Sequence, residues 1–201
     1  MNDKVIYLLR HGETKWNREG RLQGHLDSPL TELGRIQAHK MGECLTRELN
    51  GAESYSMICS PLGRTRQTAK IACLVLGYEF EKCQFDDRLR EVHLGEWDGL
   101  IFAEVETQFP EIWAERMLDK WNHIPPAGES YAMMKTRTEH WFSSLLPGSE
   151  PHVVVSHGLA GKAFRGVYAG LNESEMLSLH GPQDAIFKLS DGTIEEIPVE
   201  G

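Results

Sequence analysis

The strongest strand signal in the sequence is the stretch HVVVSHG, residues 152–158. Its three consecutive valines favour a buried strand, and a serine, a histidine and a glycine follow where that strand should end. Two other short apolar segments have the same form. Residues 4–9 are followed by Arg10-His11-Gly12, and residues 55–59 are followed by Ser60-Pro61. The sequence therefore predicts three buried strands, each followed by polar residues.

Helical patterns separate and follow these strands. Thr31 is placed to cap a helix that extends to Leu49, and Gly77 is placed to stop a helix that begins at Arg64. A third helix over residues 102–118 should break at Pro110. The remaining predicted elements are helices over residues 129–146 and 159–169, a capping pair at Asn172 and Glu175, and a hairpin over residues 185–199 that turns at Asp191-Gly192.

Strands that alternate with helices predict an α/β fold with a largely parallel sheet. The sequence contains no internal repeat, low-complexity segment or linker, so we expect one domain over residues 1–201. Hydrophobic residues make up 40% of the chain and charged residues 25%, which is typical of a globular protein. The formal net charge of −9 disfavours nucleic acid and membranes as partners. A small anionic substrate would need a local cluster of positive charge.

The first apolar run, residues 5–9, is too short for a signal peptide or a membrane span. The cysteines form neither a C-x-x-C pair nor a zinc-binding spacing; they are Cys44, Cys59, Cys73 and Cys83. These features predict reduced thiols and a cytoplasmic location.

A cluster of positive charge is predicted where the three strands end. Arg10 and His11 follow the first strand, Arg64 lies just beyond the second, and His157 follows the third. In open α/β sheets, ligands bind outside the carboxyl ends of the strands. Each of these residues alone is as compatible with a structural role as with a functional one. Their occurrence at three separate strand ends favours a single pocket.

These residue types suit the chemistry of phosphoryl transfer. The transferring group spreads negative charge over its oxygens, and arginine can bind two of those oxygens at once. A neutral histidine is a competent nucleophile near pH 7 when its second nitrogen donates to a fixed acceptor. The backbone at His11-Gly12 could supply that acceptor. The second histidine, if protonated, would add positive charge.

Further motifs extend along most of the chain and carry a family resemblance. They are Leu9-Arg10-His11-Gly12-Glu13-Thr14, Trp16-Asn17, Arg21-Leu22-Gln23-Gly24, Asp27-Ser28-Pro29-Leu30-Thr31, Ser60-Pro61-Leu62-Gly63-Arg64, Leu89-Arg90-Glu91, Gly95-Glu96-Trp97-Asp98-Gly99, Gly128-Glu129-Ser130 and Val155-Ser156-His157-Gly158. Together they resemble the histidine phosphatase superfamily, in the branch that contains cofactor-dependent phosphoglycerate mutase and its phosphatase relatives. The resemblance implies a three-layer α/β/α fold around a central, mostly parallel sheet.

The resemblance also implies a role for each matching residue. His11 would be the nucleophile, and the phosphoryl oxygens would be bound by Arg10, Arg64 and His157. Glu91 would protonate the leaving alcohol and then activate water, with Glu13 and Glu96 as rivals for this role. Substrate contacts at the pocket wall would come from Asn17, Gln23, Gly24 and the backbone N–H of Leu159. Neither a metal nor a cofactor is implied.

The sequence favours hydrolysis over transfer between substrates. The glycolytic mutases that the chain resembles carry a longer, more basic stretch after the glutamate motif, whereas residues 100–121 offer only Arg116 and Lys120. We therefore expect a metal-independent phosphomonoester hydrolase that acts on a small phosphorylated metabolite through a phosphohistidine on His11. The alternatives are a mutase-like phosphotransferase and a non-catalytic phosphate-binding regulator.

Two further questions stay open at the level of sequence. Six apolar residues could form a lid over the substrate or simply lie in the core: Trp16, Trp97, Leu100, Phe102, Trp113 and Met117. The terminal hairpin or an exposed helix could pair to form a homodimer. The sequence selects no particular substrate, whether a ribazole phosphate, a sugar bisphosphate or another monoester.

Overall fold

The computed structural model of this protein describes residues 4–145 and 150–199. Its strands are β1 (Ile6–Arg10), β2 (Ser56–Cys59), β3 (Gln84–Phe85), β4 (His152–Ser156), β5 (Ala185–Ser190) and β6 (Thr193–Pro198). Its helices are α1 (Lys15–Glu19), α2 (Glu32–Glu48), α3 (Gly63–Leu76), α4 (Phe102–Gln108), α5 (Pro110–Leu118), α6 (Tyr131–Ser143), α7 (Gly158–Ala169) and α8 (Glu173–Ser178). None of the helices in these ranges is both long and apolar enough to cross a bilayer.

The six strands form one sheet in the order β3-β2-β4-β1-β5-β6. The first four strands in this order are parallel, and β5 and β6 are antiparallel to their neighbours. The register pairs Arg10 of β1 with Ser156 of β4, and Cys59 of β2 with Val155 of β4. The carboxyl ends of β1, β2 and β4 therefore reach the same edge of the sheet, as the sequence predicts.

Alternate residues of the strands contact different helices. Side chains such as Leu9 and Val155 pack with α2 and α3 in one buried cluster. Their sequence neighbours Leu8 and Val154 pack on the opposite face with Trp141 of α6 and Phe164 of α7. Because both faces are covered by helices, burial of each large side chain contributes about 1.5–3 kcal/mol to stability. The expected three-layer α/β/α fold with a mostly parallel sheet is confirmed.

Local sequence signals account for several of the observed boundaries. The Thr31 side chain accepts a hydrogen bond from the Gly34 amide at 3.1 Å and caps α2. Asn172 and Glu175 form a reciprocal capping box at the start of α8. The hairpin between β5 and β6 turns at Asp191-Gly192, where both residues have positive φ values of 50° and 76°. Asp-Gly favours such a turn because both residues tolerate this conformation.

The break expected at Pro110 is confirmed: residues 102–118 form two helices that meet at Phe109, because Pro110 cannot continue the first helix. Other boundaries differ from the sequence-based expectation. Helix α6 begins at Tyr131 and ends at Ser143, and Leu146, where its end was expected, lies outside the described residues. The short helix α1 and the two-residue strand β3 were not predicted. Both are too short to show a hydrophobic period.

Candidate active site

Two histidines face each other at the carboxyl edge of the sheet. His11 follows β1 and His157 follows β4, and the His11 amide donates to the Ser156 carbonyl at 3.1 Å. This bond extends the pairing of the two strands by one residue. The two imidazole rings meet edge to face, with centroids 5.3 Å apart. The parallel register of β1 and β4 thus places two candidate catalytic side chains in direct contact.

The first of these histidines is held in one tautomer. Its Nδ1 lies 2.8 Å from the carbonyl oxygen of Gly12, which can only accept, so Nδ1 carries the proton and Nε2 keeps its lone pair. Burial, followed by the nearby Arg64 and Arg10 cations, holds the pKa of His11 well below its usual value. The ring is therefore neutral near pH 7 and nucleophilic at Nε2.

The loop that supplies this carbonyl is packed too tightly for any residue but glycine. A Cβ on Gly12 would lie 2.1 Å from the backbone oxygen of Gly34, and a Cβ on Gly34 would lie 2.0 Å from the backbone oxygen of Glu13. Backbone atoms on both sides cannot move aside cheaply. The close contact between these two glycines fixes the acceptor for His11.

The second histidine is also buried and neutral. Its Nε2 lies 2.7 Å from the Ser60 hydroxyl, and its Nδ1 is buried without a hydrogen-bond partner in the described residues. Burial, then Arg64 and His11, holds the pKa of His157 well below its usual value. The protonated state considered from the sequence is therefore disfavoured in this arrangement, because two cationic or potentially cationic neighbours surround the ring.

Both arginines of the cluster are anchored by backbone carbonyls. The Arg64 guanidinium is 1% exposed and donates to the carbonyls of Leu26 and Gly24, each at 2.7 Å, and to Asp27 at 3.0 Å. Arg10 donates to the carbonyl of Gly181. The Nε atoms of Arg10 and Arg64 are both buried without a partner in the described residues. Two oriented N–H donors are therefore available to an anion.

A pocket of about 330 Å³ opens above this cluster. Among its lining residues are eight of the nine residues proposed from the sequence: Arg10, His11, Asn17, Gln23, Gly24, Arg64, Glu91 and Leu159. The ninth, His157, is 1% exposed and lies beside Arg10 and Gly158 in a small neighbouring cavity. The structure therefore brings the proposed residues together in one place.

The Glu91 carboxylate lies at the N-terminus of α7. It accepts hydrogen bonds from the amides of Leu159 at 3.1 Å, Ala160 at 2.9 Å and its own neighbour Val92 at 3.0 Å. Helix N-termini favour anions, and in this structure the Glu91 carboxyl group occupies that position. The Leu159 N–H, expected from the resemblance to bind the substrate phosphate, is therefore engaged by Glu91 in this structure.

The backbone of Glu91 is held by the side chains of His25 and Arg137, a role that the sequence analysis assigned to neither residue. The Glu91 carbonyl accepts hydrogen bonds from His25 Nε2 at 2.9 Å and from the Arg137 guanidinium at 3.1 Å. Arg137 is in turn paired with Glu129 at 2.8 Å, and Glu129 accepts from the His93 amide at 3.1 Å. The Gly128-Glu129-Ser130 motif was a partial signal, because Glu129 belongs to this network.

The sequence of the chain matches a family model over residues 6–191, that of the histidine phosphatase superfamily, branch 1. This protein is a member of the histidine phosphatase superfamily.

Two groups of known proteins resemble this superfamily member. Proteins named "Probable phosphoglycerate mutase GpmB" from Serratia proteamaculans and Salmonella paratyphi C are 36% and 38% identical over 158 and 159 residues, and each match covers 77% of this chain and 70% of the relative. A mycobacterial glucosyl-3-phosphoglycerate phosphatase, solved with VO3, superposes with a TM-score of 0.78 at 28% identity, covering 96% of this chain and 97% of that one. The alpha-ribazole phosphatase of Shigella flexneri superposes with a TM-score of 0.82 at 21% identity, covering 98% of this chain and 96% of that one, and this similarity supports the fold.

The two rival glutamates, Glu13 and Glu96, lie away from the pocket. Glu13 accepts hydrogen bonds from Thr31 at 2.6 Å and Arg18 at 2.7 Å, so its carboxylate supports the start of α2. Glu96 is exposed and does not line the pocket. Of the three glutamates considered, Glu91 is the one at the pocket.

The wall residues Gln23 and Gly24 are fixed by their neighbours. Gly24 has a positive φ of 46°, and a Cβ there would lie 1.7 Å from the carboxylate of Asp98, so only glycine fits. Its carbonyl accepts from Arg64, which ties the wall to the cluster below. The Gln23 side chain is 7% exposed, and its Oε1 has no partner in the described residues.

Asn17 is held by a residue that the sequence analysis missed. Gln183 donates to the Asn17 side-chain oxygen at 3.2 Å and to the His11 carbonyl at 3.1 Å. Gln183 lies between α8 and β5, in a segment without a recognisable motif. Its distance in sequence from both partners explains why no local signal indicates it.

The apolar lid considered from the sequence is absent from the described pocket. None of its six candidate residues lines the cavity, whose apolar lining consists instead of Leu22, Val92, Leu94 and Leu159. Trp97 is fully buried and packs against Trp113, Phe109 and His123. These aromatic side chains therefore build the core beneath the wall.

Proposed function

We propose that this member of the histidine phosphatase superfamily is a phosphomonoester hydrolase that works through a phosphohistidine on His11. The observation that carries the proposal is the buried, neutral His11 with its Nδ1–H fixed on the Gly12 carbonyl, because this leaves Nε2 as a nucleophile beside two anchored arginines. The substrate would be a small phosphorylated metabolite that fits a pocket of about 330 Å³.

The reaction would proceed in two steps. First, His11 Nε2 attacks the phosphorus, the P–O bond to the alcohol breaks, and the leaving oxygen takes a proton from the Glu91 carboxyl group. The like charge of the bound phosphoryl group favours the protonated form of that carboxyl. Second, the Glu91 carboxylate accepts a proton from water as that water attacks the phosphohistidine, which releases phosphate and restores His11. Arg10 and Arg64 would balance the charge on the equatorial oxygens in both steps. No residue in this scheme requires a metal ion.

The surroundings of the pocket favour water as the acceptor. In residues 100–121, Arg116 is buried and donates to the Tyr131 hydroxyl at 2.9 Å, and Lys120 is exposed outside the pocket. The basic residues of this segment therefore cannot hold a second phosphorylated group in the pocket. The resemblance to a glucosyl-3-phosphoglycerate phosphatase supports the same choice.

A mutase-like transfer of phosphate between phosphoglycerates is the second candidate. The observation in its favour is the 36–38% identity to proteins named as phosphoglycerate mutase GpmB. A non-catalytic phosphate-binding protein is the third, and it is disfavoured because all the residues of the proposed reaction are present.

The test is hydrolysis of a panel of phosphomonoesters with excess chelator, comparing wild type, His11→Ala and the exposed control His39→Ala. We expect chelator-resistant turnover that His39→Ala keeps and that His11→Ala lowers by about 10³-fold or more. Rapid acid-free quenching of the wild type should also trap a protein species heavier by one phosphoryl group.

Two results would contradict the proposal. Turnover that persists in His11→Ala would exclude His11 as the nucleophile. Transfer between phosphoglycerates without release of inorganic phosphate would favour the mutase.

A further inference from the structure

Three cysteines form a cluster beside the β3 edge of the sheet, outside the residues that line the active-site pocket. This thiol cluster consists of Cys59 at the end of β2, Cys73 in α3 and Cys83 just before β3, all of them buried and free. The Sγ atoms of Cys73 and Cys83 are 3.6 Å apart, and Cys59 is hydrogen-bonded to Cys83. The remaining cysteine, Cys44 of α2, has no such sulfur partner within the described ranges. The proposed reaction uses none of these thiols.

Two thiols of the cluster are close to the geometry of a disulfide. A disulfide bond is about 2.05 Å long, so the sulfurs of Cys73 and Cys83 need to approach by about 1.5 Å. Cys73 is fixed within α3, but Cys83 follows the short 3-10 turn Phe80–Lys82 and precedes a strand of two residues. Because such irregular segments adjust more readily than helices, the segment around Cys83 can supply this movement.

Cys83 is the thiol of the cluster that is best placed to react. Hydrogen bonds from Cys59 and Cys73, and then the positive charge of Arg66, lower the pKa of Cys83 against the opposing effect of burial. The Arg66 guanidinium is held nearby because it stacks on the Phe85 ring, 4.1 Å from its centroid. The thiolate is the form of cysteine that attacks peroxides. Both sequence neighbours of Cys83 are exposed, so this thiol lies directly beneath the protein surface.

We propose that Cys73 and Cys83 are a reversible oxidation site, at which a peroxide forms an intramolecular disulfide that ties β3 to α3. The Cys83 thiolate attacks one oxygen of the peroxide, the O–O bond breaks, and hydroxide leaves and is protonated by solvent, which gives a sulfenic acid. The Cys73 sulfur then attacks the Cys83 sulfur, the S–O bond breaks, and the Cys73 proton leaves with the hydroxyl group as water. The two cysteines lose two electrons, and hydrogen peroxide is reduced to two molecules of water.

The disulfide strengthens an edge of the sheet that has little backbone pairing. The outermost strand β3 pairs with β2 only at Ile58–Gln84 and Cys59–Phe85. A covalent link between Cys73 and Cys83 closes a loop and so restricts the unfolded chain. Since Arg64 lies near the opposite end of α3, the link stabilises this edge at a distance from the pocket. The competing interpretation is that the three thiols only fill the core, and it predicts no specific link.

The experiment treats the native protein with a small molar excess of hydrogen peroxide. The remaining thiols are then alkylated in denaturant, and the peptides are mapped by mass spectrometry. The proteins are wild type, Cys73→Ser, Cys83→Ser and the control Cys44→Ser, which removes a buried thiol outside the cluster. Because the map of the wild type decides the question by itself, the test does not depend on whether the variants fold.

We expect a single linked peptide pair, Cys73–Cys83, lighter by two hydrogens and restored by dithiothreitol. It should form in wild type and in Cys44→Ser, and it should be absent from Cys73→Ser and Cys83→Ser. The linked wild type should have a midpoint of thermal unfolding about 5 °C above that of the reduced protein. Oxidation of Met57, whose Sδ lies 3.3 Å from the Cys73 sulfur, adds one oxygen and is separated by mass.

Several results would overturn the inference. They are retention of all thiols, a link through Cys59 or Cys44, a link between two chains, oxygen added to Cys83 without a link, and a linked form that unfolds at the same or a lower temperature. No arm of the experiment measures phosphatase activity. Failure of the proposed function would therefore leave this result unaffected.

Discussion

The floor and the wall of the pocket are built in different ways. The floor consists of Arg10, His11, Arg64 and His157, which follow or flank the ends of three neighbouring parallel strands and are almost entirely buried or anchored by backbone carbonyls. The part of the wall that carries Glu91, residues 86–99, contains only two short 3-10 turns and no strand. Its shape depends on single side chains that reach it from distant parts of the chain.

The chain therefore positions the residues of the floor and of the wall in two different ways. Sheet register places most of the floor: the β1–β4 ladder aligns Arg10 with Ser156 and so brings His11 and His157 together, while Arg64 lies in the first turn of α3 beyond β2. The wall is held at Glu91 by His25, Arg137 and the first amides of α7, each from a different segment. We therefore expect substitutions in the floor to lower activity equally for all substrates. The effect of substitutions in the wall should depend on how strongly the leaving group needs protonation.

The largest effect is expected from Arg64→Lys in the floor. Lysine keeps the charge, but its single ammonium nitrogen cannot replace the planar guanidinium, whose separate nitrogens donate to Leu26 and Gly24 and leave Nε for a phosphate. We therefore expect kcat/KM to fall by about 10³-fold for alkyl and aryl phosphates alike. Arg66→Lys on the exposed side of the same helix is the matched control and should change little. Steady-state kinetics with both substrate classes is the measurement. A loss confined to alkyl phosphates would show that the floor also serves proton transfer.

A smaller and selective effect is expected from Arg137→Met in the wall. Loss of its bonds to the carbonyls of Arg88 and Glu91 should loosen Glu91 and lower kcat by about tenfold for alkyl phosphates. The loss should be several-fold smaller for p-nitrophenyl phosphate, whose leaving group needs little protonation. Lys135→Met, which removes a surface pair with Glu139 on the same helix, is the control. Equal losses for both substrates would mean that Arg137 has only a general structural role.

The smallest expected effect is on the pH dependence of the free energy of unfolding, which tests whether the floor histidines are neutral. Burial first, and nearby cations second, depress the folded-state pKa values of His11 and His157. The unfolded chain therefore binds more protons below about pH 6.5, and stability is lost as pH falls from about 7.5 to 5.5, by about 1.4 kcal/mol for each histidine. Urea unfolding of wild type and His157→Gln should show a smaller pH dependence in the variant. Identical pH dependence would mean that His157 is not held neutral.

The parts of the molecule that sequence reasoning predicted are those with local signals. The strand ending at Ser156 and the capping residue Thr31 each depend on residues within one element. The carbonyl acceptor for His11 was also expected, because the next residue supplies it. Adjacent strand ends then followed from the α/β fold and the family resemblance.

The parts that could not be predicted depend on contacts across long stretches of sequence. Arg137 reaches Glu91 across 46 residues, and Gln183 reaches His11 across 172 residues. An aromatic residue beside a motif suits a lid and a core equally well from the sequence alone. Trp97 belongs to the core, because three other rings surround its indole.

The central position of β1 has a consequence for the order in which the protein can become active. His11 lies near the start of the chain, but β1 forms its ladders with β4, from His152, and with β5, up to Leu189. On the ribosome, His11 is therefore synthesised long before either neighbouring strand exists. Since pairing of such distant segments is slow, assembly of the pocket belongs to the last stage of folding. A nascent chain can thus carry the complete Arg10-His11-Gly12 motif without its partner histidine in place.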